Sequence, residues 1–366
     1  LTLSTYQLNP GIVEGERDSA TGLFVKPVDM GNGLVGETIA DKNDFMQYEQ
    51  QIPYQQIKHY KAVWNNNFLI GNGSLKATLA YQQNRRQEFA DILAPKEYEL
   101  YFQLNTLNYD LQYILPEKKG WEISVGTNGM YQSSLNKGEE YLVPEYRLYD
   151  AGVFAIAKKT WGKFNLSGGL RFDNRSQTVD ALYLDADGEK TIESNPVASL
   201  RFTPFTRNFS GISGSLGATY QVSDNWNMKL NLSRGFRAPN ISELSSNGVH
   251  EGTLRYETGD SDLKPESSLQ LDYELGFNTE HVNAKLNLFA NSIDNYIFSR
   301  KLSSTLGGDS IADEVPVYKF SAGNAVLSGA EIFVDVHPHP LDWLHFQNSL
   351  SYVNAQLRNQ PDSAKY

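Results

Sequence analysis

Apolar and polar side chains alternate one by one along much of this chain, and this pattern restricts its fold more than any other feature. In WNMKLNLS, residues 226–233, the even positions are apolar and the odd ones polar. In LQLDYELGF, residues 269–277, the odd positions are apolar, with Gln, Asp, Glu and Gly between them. A period of two residues is that of a β-strand whose faces meet different surroundings. The alternation recurs at 75–82, 121–131, 164–173 and 212–221. The sequence therefore predicts an all-β protein.

Two classes of all-β protein share this alternation: a membrane barrel and a soluble β-sandwich such as a lectin. A sandwich buries its apolar faces and turns polar faces to water. A barrel turns its apolar faces to lipid, and its register is then strongly determined, because a slip of one residue exchanges the two faces. Such a slip would carry Lys229 into the hydrocarbon at a cost of about 2–4 kcal/mol.

The connections between strands favour the barrel, because short and long ones alternate along the chain. The short ones are IGNG (70–73), PEKKG (116–120), TWGK (160–163), VSDN (222–225) and TEHV (279–282). The long ones are polar and cover 15–50, 136–147, 178–195, 237–268 and 303–314. Outer-membrane barrels have short turns at one rim and long loops at the other. The predicted fold is a transmembrane antiparallel up-and-down β-barrel.

Aromatic residues near the strand ends agree with a membrane interface, where amphipathic rings collect. They are Trp121, Trp161, Phe164, Trp226, Phe236 and Trp343. The pattern predicts about thirteen strands, whereas a bacterial barrel normally closes with an even number. The chain is therefore interpreted as part of a larger barrel.

Composition excludes several functions. The net charge is −11, the pI is about 5.1, and there is no basic stripe, so nucleic acid is not a predicted partner. The chain has no cysteine, which excludes disulfides, thiolate metal sites and cysteine nucleophiles. It contains no GxSxG, no HExxH and no Gly-rich phosphate loop after a strand, so no enzyme is predicted.

Several segments carry distinctive motifs. The most specific is NLSRGFRAPNISEL at 231–244, in which RGFRAP is followed by a Glu-Leu pair. Others are LKPES (263–267), NLFANSIDNYIF (287–298), LSGAEIFVDV (327–336), YQQNRRQEF (81–89) and LSGGLRFDNR (166–175). These segments resemble those of TonB-dependent receptors of bacterial outer membranes. The resemblance covers nearly the whole chain and implies that the protein lies in the outer membrane.

Membership of that family implies a 22-stranded barrel that encloses an N-terminal plug domain. Residues 1–366 are then expected to form a partial barrel, with about four strands before Leu1, about five after Tyr366 and the plug outside this chain. The implied partners are the TonB–ExbB–ExbD complex, acting through the plug, and the lipid and lipopolysaccharide of the membrane.

The segment GVHEGTLRYETG, residues 248–259, is similar to the zinc-uptake branch of the family, members of which are also linked to haem. In that branch, a loop histidine and a glutamate at an earlier strand end help to hold the metal, and the other ligands lie in the plug. The matching residues here are His250 and Glu88, and Glu251 adjoins the histidine. Zinc accepts both imidazole and carboxylate ligands. The alternative is that His250 and Glu251 are ordinary solvated loop residues.

Arg234 and Arg237 bracket Gly235–Phe236 at the predicted rim and are candidate ligand-binding residues. Their guanidinium groups suit carboxylates of a siderophore or haem propionates. The favoured interpretation is that they brace the loop against the wall or meet lipopolysaccharide phosphates.

Three further histidines lie near one predicted short turn. His337 and His339, in DVHPHPLDW, have the spacing of a metal-binding pair, but a polar turn between prolines is the favoured explanation. His345 on the next strand is expected to face inward as a wall residue.

The function predicted is TonB-dependent active import of a scarce nutrient. Zinc is the first candidate for the transported ligand, with haem or a ferric siderophore next, and no tightly bound cofactor is expected. A passive porin or surface-binding barrel is the alternative from another class.

Overall fold

A computed structural model describes residues 1–12, 17–46, 48, 50–250, 253, 255–305, 307–341 and 343–358, apart from the side chain of His250. The strands are β1 (Thr2–Leu8), β2 (Val25–Gly31), β3 (Leu34–Ile39), β4 (Tyr54–Ile70), β5 (Gly73–Phe89), β6 (Leu100–Ile114), β7 (Trp121–Asn136), β8 (Tyr146–Trp161), β9 (Phe164–Val179), β10 (Leu182–Leu184), β11 (Lys190–Thr191), β12 (Ser199–Phe202), β13 (Phe205–Gln221), β14 (Trp226–Arg237), β15 (Asn247–His250), β16 (Arg255–Thr258), β17 (Glu266–Asn278), β18 (Val282–Lys301), β19 (Ile311–Ala312), β20 (Val315–Val336) and β21 (Phe346–Arg358). Two short helices, α1 (Lys42–Met46) and α2 (Ile241–Ser245), lie in connections between them.

One large antiparallel sheet forms the wall of the molecule. Within the described ranges it contains thirteen long strands, each paired with the next along the chain: β1, β4 to β9, β13, β14, β17, β18, β20 and β21. This confirms the all-β, up-and-down topology and the predicted strand number. The first and last wall strands are each seen with one paired neighbour among the described residues.

Short and long connections are sorted to opposite ends of the sheet, as predicted. Short turns follow β4, β6, β8, β13 and β17, and this end is called the short-turn rim. Long connections follow β1, β5, β7, β9, β14 and β18, and this end is called the long-loop rim. The connection after β20, residues 337–345, also lies at the short-turn rim.

The outer face of the wall is apolar and open. Leu216, Leu232 and Leu271 are cross-strand partners on β13, β14 and β17, and 59%, 48% and 48% of their surfaces are exposed. Large apolar side chains in an open row require an apolar solvent rather than water. The row therefore fits lipid contact, and no described residue forms the facing layer that a β-sandwich would supply.

The inner face is polar and carries paired charges. Asn231 donates a hydrogen bond to Asp272 across the strands at 3.3 Å. Lys229 forms an ion pair with Glu274 at 2.6 Å, so it lies on the face that the register argument assigns to it. Among the described residues, no helix is long and apolar enough to cross a bilayer.

Aromatic rings form a band at the short-turn rim. Phe164 packs against Trp161 and Tyr220, and Trp226 packs against Phe277, with ring centroids 4.5–6.0 Å apart. This matches the predicted interfacial position of these residues.

Phe236 is an exception to the predicted aromatic belt. Its ring lies over Gly211, where there is no Cβ to displace it. It packs against a buried cluster of Phe209, Leu244 and Ile297. Phe236 therefore belongs to the core beneath the long-loop rim and not to a lipid interface.

Candidate functional site at the long-loop rim

Residues 238–265, between β14 and β17, dock onto the wall through helix α2. Asn240 caps the helix, because its side-chain oxygen accepts from the backbone N–H of Glu243 at 2.8 Å. The Glu243 carboxylate in turn accepts from the backbone N–H of Asn240 at 2.8 Å. This reciprocal capping box satisfies two backbone donors and determines where the short helix begins.

Arg237 joins this helix to β17 through two carboxylates. Its Nε and Nη2 donate to Glu266 at 2.6 and 2.7 Å, and its Nη1 donates to both oxygens of Glu243 at 2.9 Å. The two carboxylate side chains are only 10% and 13% exposed. A paired, charge-assisted arrangement of this kind gives strong and directional bonds. We call these three residues the Arg237 hub.

The hub changes the protonation preferences of Arg237 and Glu266. Hydrogen bonding to Glu266 raises the pKa of Arg237 above its ordinary value, so the guanidinium stays charged. Burial pushes the pKa of Glu266 upward, but hydrogen bonds from Arg237 and from the backbone N–H of Ile297 outweigh burial and lower it. At neutral pH Arg237 and Glu266 are therefore held as an ion pair.

Apolar contacts also hold the 238–265 connection against the wall. Leu244 and Leu263 are 2% and 5% exposed and pack with Phe209 and Ile297 of the wall. Gln177 of β9 has no exposed surface and donates to the carbonyl of Pro239 at 2.8 Å. The start and end of the long 238–265 connection are thus a packed part of the structure.

The middle of the connection reaches across the rim as the β15–β16 hairpin. β16 pairs in parallel with β20, with Tyr256 opposite Val317. Asn247 accepts from the Tyr256 hydroxyl at 2.7 Å and donates to the carbonyl of Arg201 at 3.0 Å. Its backbone N–H also donates to the carbonyl of Leu142 at 3.1 Å. The loops at 137–145, 180–204 and 238–265 therefore interlock.

Gly259→Ala is expected to loosen this packing. A Cβ at Gly259 would collide with the backbone of Ser245, and overpacking of this kind costs about 1–3 kcal/mol. Amide hydrogen exchange across 246–263 should become roughly 5- to 150-fold faster, since 1.4 kcal/mol corresponds to tenfold. Gly323→Ala is the matched control, because its nearest contact would be an ordinary 3.5 Å. Equal exchange rates in the two variants would contradict the packing described for Gly259.

An acidic cluster lies where three long loops meet. Burial raises the pKa of Glu139, and the charges of Glu97, Glu189 and Asp91 raise it further. A carboxyl whose pKa rises beside other carboxyls reports mutual repulsion, which a bound cation would relieve. Lys190 neutralises one neighbour, Glu145, at 3.0 Å.

Below the rim, the inner wall carries a ladder of charged and amide side chains. Arg175 makes two hydrogen bonds of 2.7 Å to Asp150. Arg171 pairs with Asp173 and donates to Asn128 at 2.7 Å. These residues line a cleft of about 570 Å³ that extends up to Arg237. The surface suits water, a polar ligand or the polar face of a folded domain.

The residues predicted to bind a metal are only partly described. Glu88 is buried at the end of β5, where it accepts from Gln55 at 2.7 Å and lies 3.9 Å from Arg86. The backbone of His250 ends β15, opposite Arg255. The side chain of His250 and all of Glu251 lie outside the described residues. The zinc ligand set therefore stays a prediction.

The two rim arginines both contact the protein itself. Arg237 is held in the hub, and Arg234 donates to the carbonyl of Ile212 on β13. These contacts support the bracing role, whereas ligand binding by either arginine stays a prediction. The sequence did not point to Glu243 and Glu266 as the partners of Arg237, although N-I-S-E is a readable capping-box signal.

The turn histidines do not form the pair that their spacing indicates. His337 lies beside His345, with ring centroids 5.2 Å apart, and His339 lies against His281 at 4.7 Å. Cross-strand register decides these partners, so sequence spacing alone did not predict them.

Comparisons with known proteins agree with this architecture. A family model described as TonB dependent receptor-like, beta-barrel matches residues 8–365. The chain is 28% identical over 156 residues to the probable TonB-dependent siderophore receptor PirA of Acinetobacter baumannii, covering 40% of this chain and 21% of that protein. It is 24% identical over 305 residues to the ferric enterobactin receptor of Pseudomonas aeruginosa, covering 79% of this chain and 40% of that protein.

The fold is also shared with a solved transporter. The copper transporter OprC superposes with a TM-score of 0.62 over 83% of this chain and 47% of that one, at 14% identity. The matched region spans less than half of each of these three relatives. None of the three is named for zinc, so they give the zinc branch no support. Because the family model matches nearly the whole chain and the wall has the expected topology, the chain belongs to the family of TonB-dependent receptor β-barrels.

Proposed function

We propose that this chain is part of a receptor that imports a scarce metal nutrient across a bacterial outer membrane, with energy supplied by the TonB–ExbB–ExbD complex through a plug domain. The observation that carries the proposal is the division of the wall into an open apolar face and a charge-lined inner face. The charged ladder along Asp150 and Arg175 offers hydrogen-bonding surface to a polar plug.

The acidic cluster supports a cationic cargo, and zinc is the first candidate. Carboxylates from three loops around Glu139 create a negative potential at the rim, which raises the local concentration of cations and opposes polyanions. Zinc takes carboxylate and imidazole ligands, and the ligands we propose are Glu88, near the end of β5, and His250, at the end of β15.

A ferric siderophore is the second candidate, and the names of two relatives favour it. PirA is named as a probable siderophore receptor and the Pseudomonas protein as a ferric enterobactin receptor. Haem stays a third possibility through the resemblance of the 248–259 segment.

Transport measurements in cells separate these functions. In a strain that lacks its own zinc and siderophore receptors, the full-length receptor should confer uptake of radioactive zinc that stops when TonB is deleted. TonB-dependent uptake of a ferric siderophore without zinc uptake would transfer the assignment to the second candidate. Uptake of small solutes that persists without TonB would identify a passive porin and overturn the proposal.

The predicted zinc ligands can be tested in the same receptor. His250→Ala combined with Glu88→Gln should weaken zinc binding at the long-loop rim by roughly tenfold or more, because loss of even an outer-shell partner costs about 10–100-fold. Isothermal titration calorimetry measures the change. His59→Ala is the control, since His59 lies on the wall strand β4. An unchanged affinity in the double variant would remove the predicted ligand set.

A further inference from the structure

Four of the six histidines of the chain gather at the short-turn rim, far from the loops considered for cargo. They are His281, His337, His339 and His345. The neighbouring connections 279–281 and 337–345 bring them together, because β18 pairs with β20 and Val282 lies opposite Val336. A backbone hydrogen bond of 2.9 Å from His337 to His281 fastens one connection to the other.

Two of these histidines, His337 and His345, lie beside the carboxylate of Asp335. The three residues form a group that offers three ligand atoms, all within 4.8 Å of one another. His345 Nδ1 is 3.3 Å from a carboxylate oxygen of Asp335. The rings of His337 and His345 are inclined by only 30°. Asp335 ends the inward-facing series of β20 that includes Glu331, so the group lies on the inner side of the rim.

Two atoms of this group are buried without a hydrogen-bond partner among the described residues. They are the second carboxylate oxygen of Asp335, Oδ1, and Nδ1 of His337. Leaving a buried polar atom unpaired costs about 1–3 kcal/mol, and more when the group is charged. Asp335 Oδ1 donates an electron pair in the ionised carboxylate, and His337 Nδ1 does so in the neutral imidazole that carries its proton on Nε2. A cation bound at this group would therefore be a partner for atoms of this kind.

We propose that Asp335, His337 and His345 bind a divalent transition-metal cation of the zinc class. Two imidazoles and one carboxylate form a common three-residue set for zinc, with water as the fourth ligand. Neighbouring ligand atoms of tetrahedral zinc are about 3.3 Å apart, given metal–ligand distances of about 2.0–2.1 Å. The three donors therefore need to approach one another by about 1.5 Å at most, and the exposed ring of His345 has room to move. Such a cation would hold together the ends of β20 and β21 that residues 337–345 connect.

The site is chemically and spatially separate from the proposed cargo site. It is built on the opposite rim from Glu88 and His250, so it holds whether the cargo is zinc, haem or a siderophore. Imidazole ligands favour zinc, copper or nickel over calcium and magnesium, which prefer oxygen. His281, His339 and Glu280 form an exposed group beside it.

Zinc titration of the full-length receptor in detergent tests the proposal. The background variant is His250→Ala with Glu88→Gln, which removes the predicted cargo ligands and keeps the two sites distinguishable. In that background we expect one zinc equivalent that calcium and magnesium do not displace. His345→Gln and Asp335→Asn should each weaken its binding by roughly tenfold or more, whereas His59→Gln should not change it.

Copper(II) as a second probe reports the ligands directly. Electron paramagnetic resonance should show nitrogen coupling in the background variant and a reduced coupling in His345→Gln. His345 is half exposed, so this substitution is compatible with folding, which heat-modifiable gel mobility checks. Unchanged zinc affinity and copper spectra in both His345→Gln and Asp335→Asn would overturn the proposal. Loss of binding only in His281→Gln with His339→Gln would assign the cation to the exposed group and would equally overturn it.

Discussion

Arg237→Ala is expected to weaken the docking of the 238–265 connection onto the wall by about 2–3 kcal/mol. The substitution leaves Glu243 and Glu266 as two nearly buried carboxylates without their common cation. Breaking a fully buried pair costs about 3–5 kcal/mol, and the smaller value applies because the Arg237 side chain is 41% exposed. Amide hydrogen exchange across α2 should accelerate by more than tenfold.

A second arginine provides the matched control. Arg147 pairs with Asp180 at 2.9 Å, but both side chains are more than half exposed. Exposed pairs contribute only about 0.2–1 kcal/mol, so Arg147→Ala should change the exchange rates little. If the two variants behaved alike, the Arg237 hub would be a surface contact. Adding Glu243→Gln and Glu266→Gln to Arg237→Ala should restore part of the loss, because the unpaired charges are then removed.

The stabilisation that the Arg237 hub gives to the fold is expected to decrease at acidic pH. The pKa of Glu266 is lowered in the folded protein, where hydrogen bonds from Arg237 outweigh the effect of burial. A carboxyl with a lowered pKa stabilises the fold at pH values above its unfolded value, about 4.3, and this stabilisation disappears as pH falls through the folded value. The difference between the parent and Arg237→Ala should therefore shrink below about pH 4.

Leu271→Lys is expected to destabilise the barrel by about 2–4 kcal/mol in a lipid bilayer. Leu271 lies near the middle of β17 on the open apolar face, and a lysine at the bilayer midplane of a barrel costs this amount. The denaturant midpoint of unfolding from liposomes measures the change. Gln270→Lys is the control, because position 270 lies on the inner face and contacts Asp272.

The control should cost less than about 1 kcal/mol, since its new charge meets water and a carboxylate. Equal losses for the two lysines would mean that both faces of β17 meet the same environment. That result is incompatible with the membrane orientation described for the wall.

The strands of the wall could be predicted from the sequence because their apolar and polar residues alternate with a period of two. Alternation at 226–233 and 269–277 assigns each residue to a face, and the turn residues between strands determine which end is short. Both features depend on neighbours in sequence, so the all-β topology and the thirteen strands followed from them.

The site was harder to predict because its partners are distant along the chain. Arg237 meets Glu266, which is 29 residues away, and His337 meets His345 only because β20 and β21 pair in one register. Phe236 was misplaced in the aromatic belt for the same reason, since Gly211 on β13 provides the space for its ring. The single local signal among these contacts is the N-I-S-E capping box.

Spin labels at single introduced cysteines along residues 269–275 test the orientation of the wall most directly. The chain has no cysteine of its own, so each label in it is unique. In bilayers, collisions with oxygen, which concentrates in lipid, should peak at 269, 271, 273 and 275, and should fall at 270, 272 and 274. Apolar positions that are shielded from both oxygen and a water-soluble nickel chelate would reveal a dry interior between packed layers and would contradict a membrane barrel.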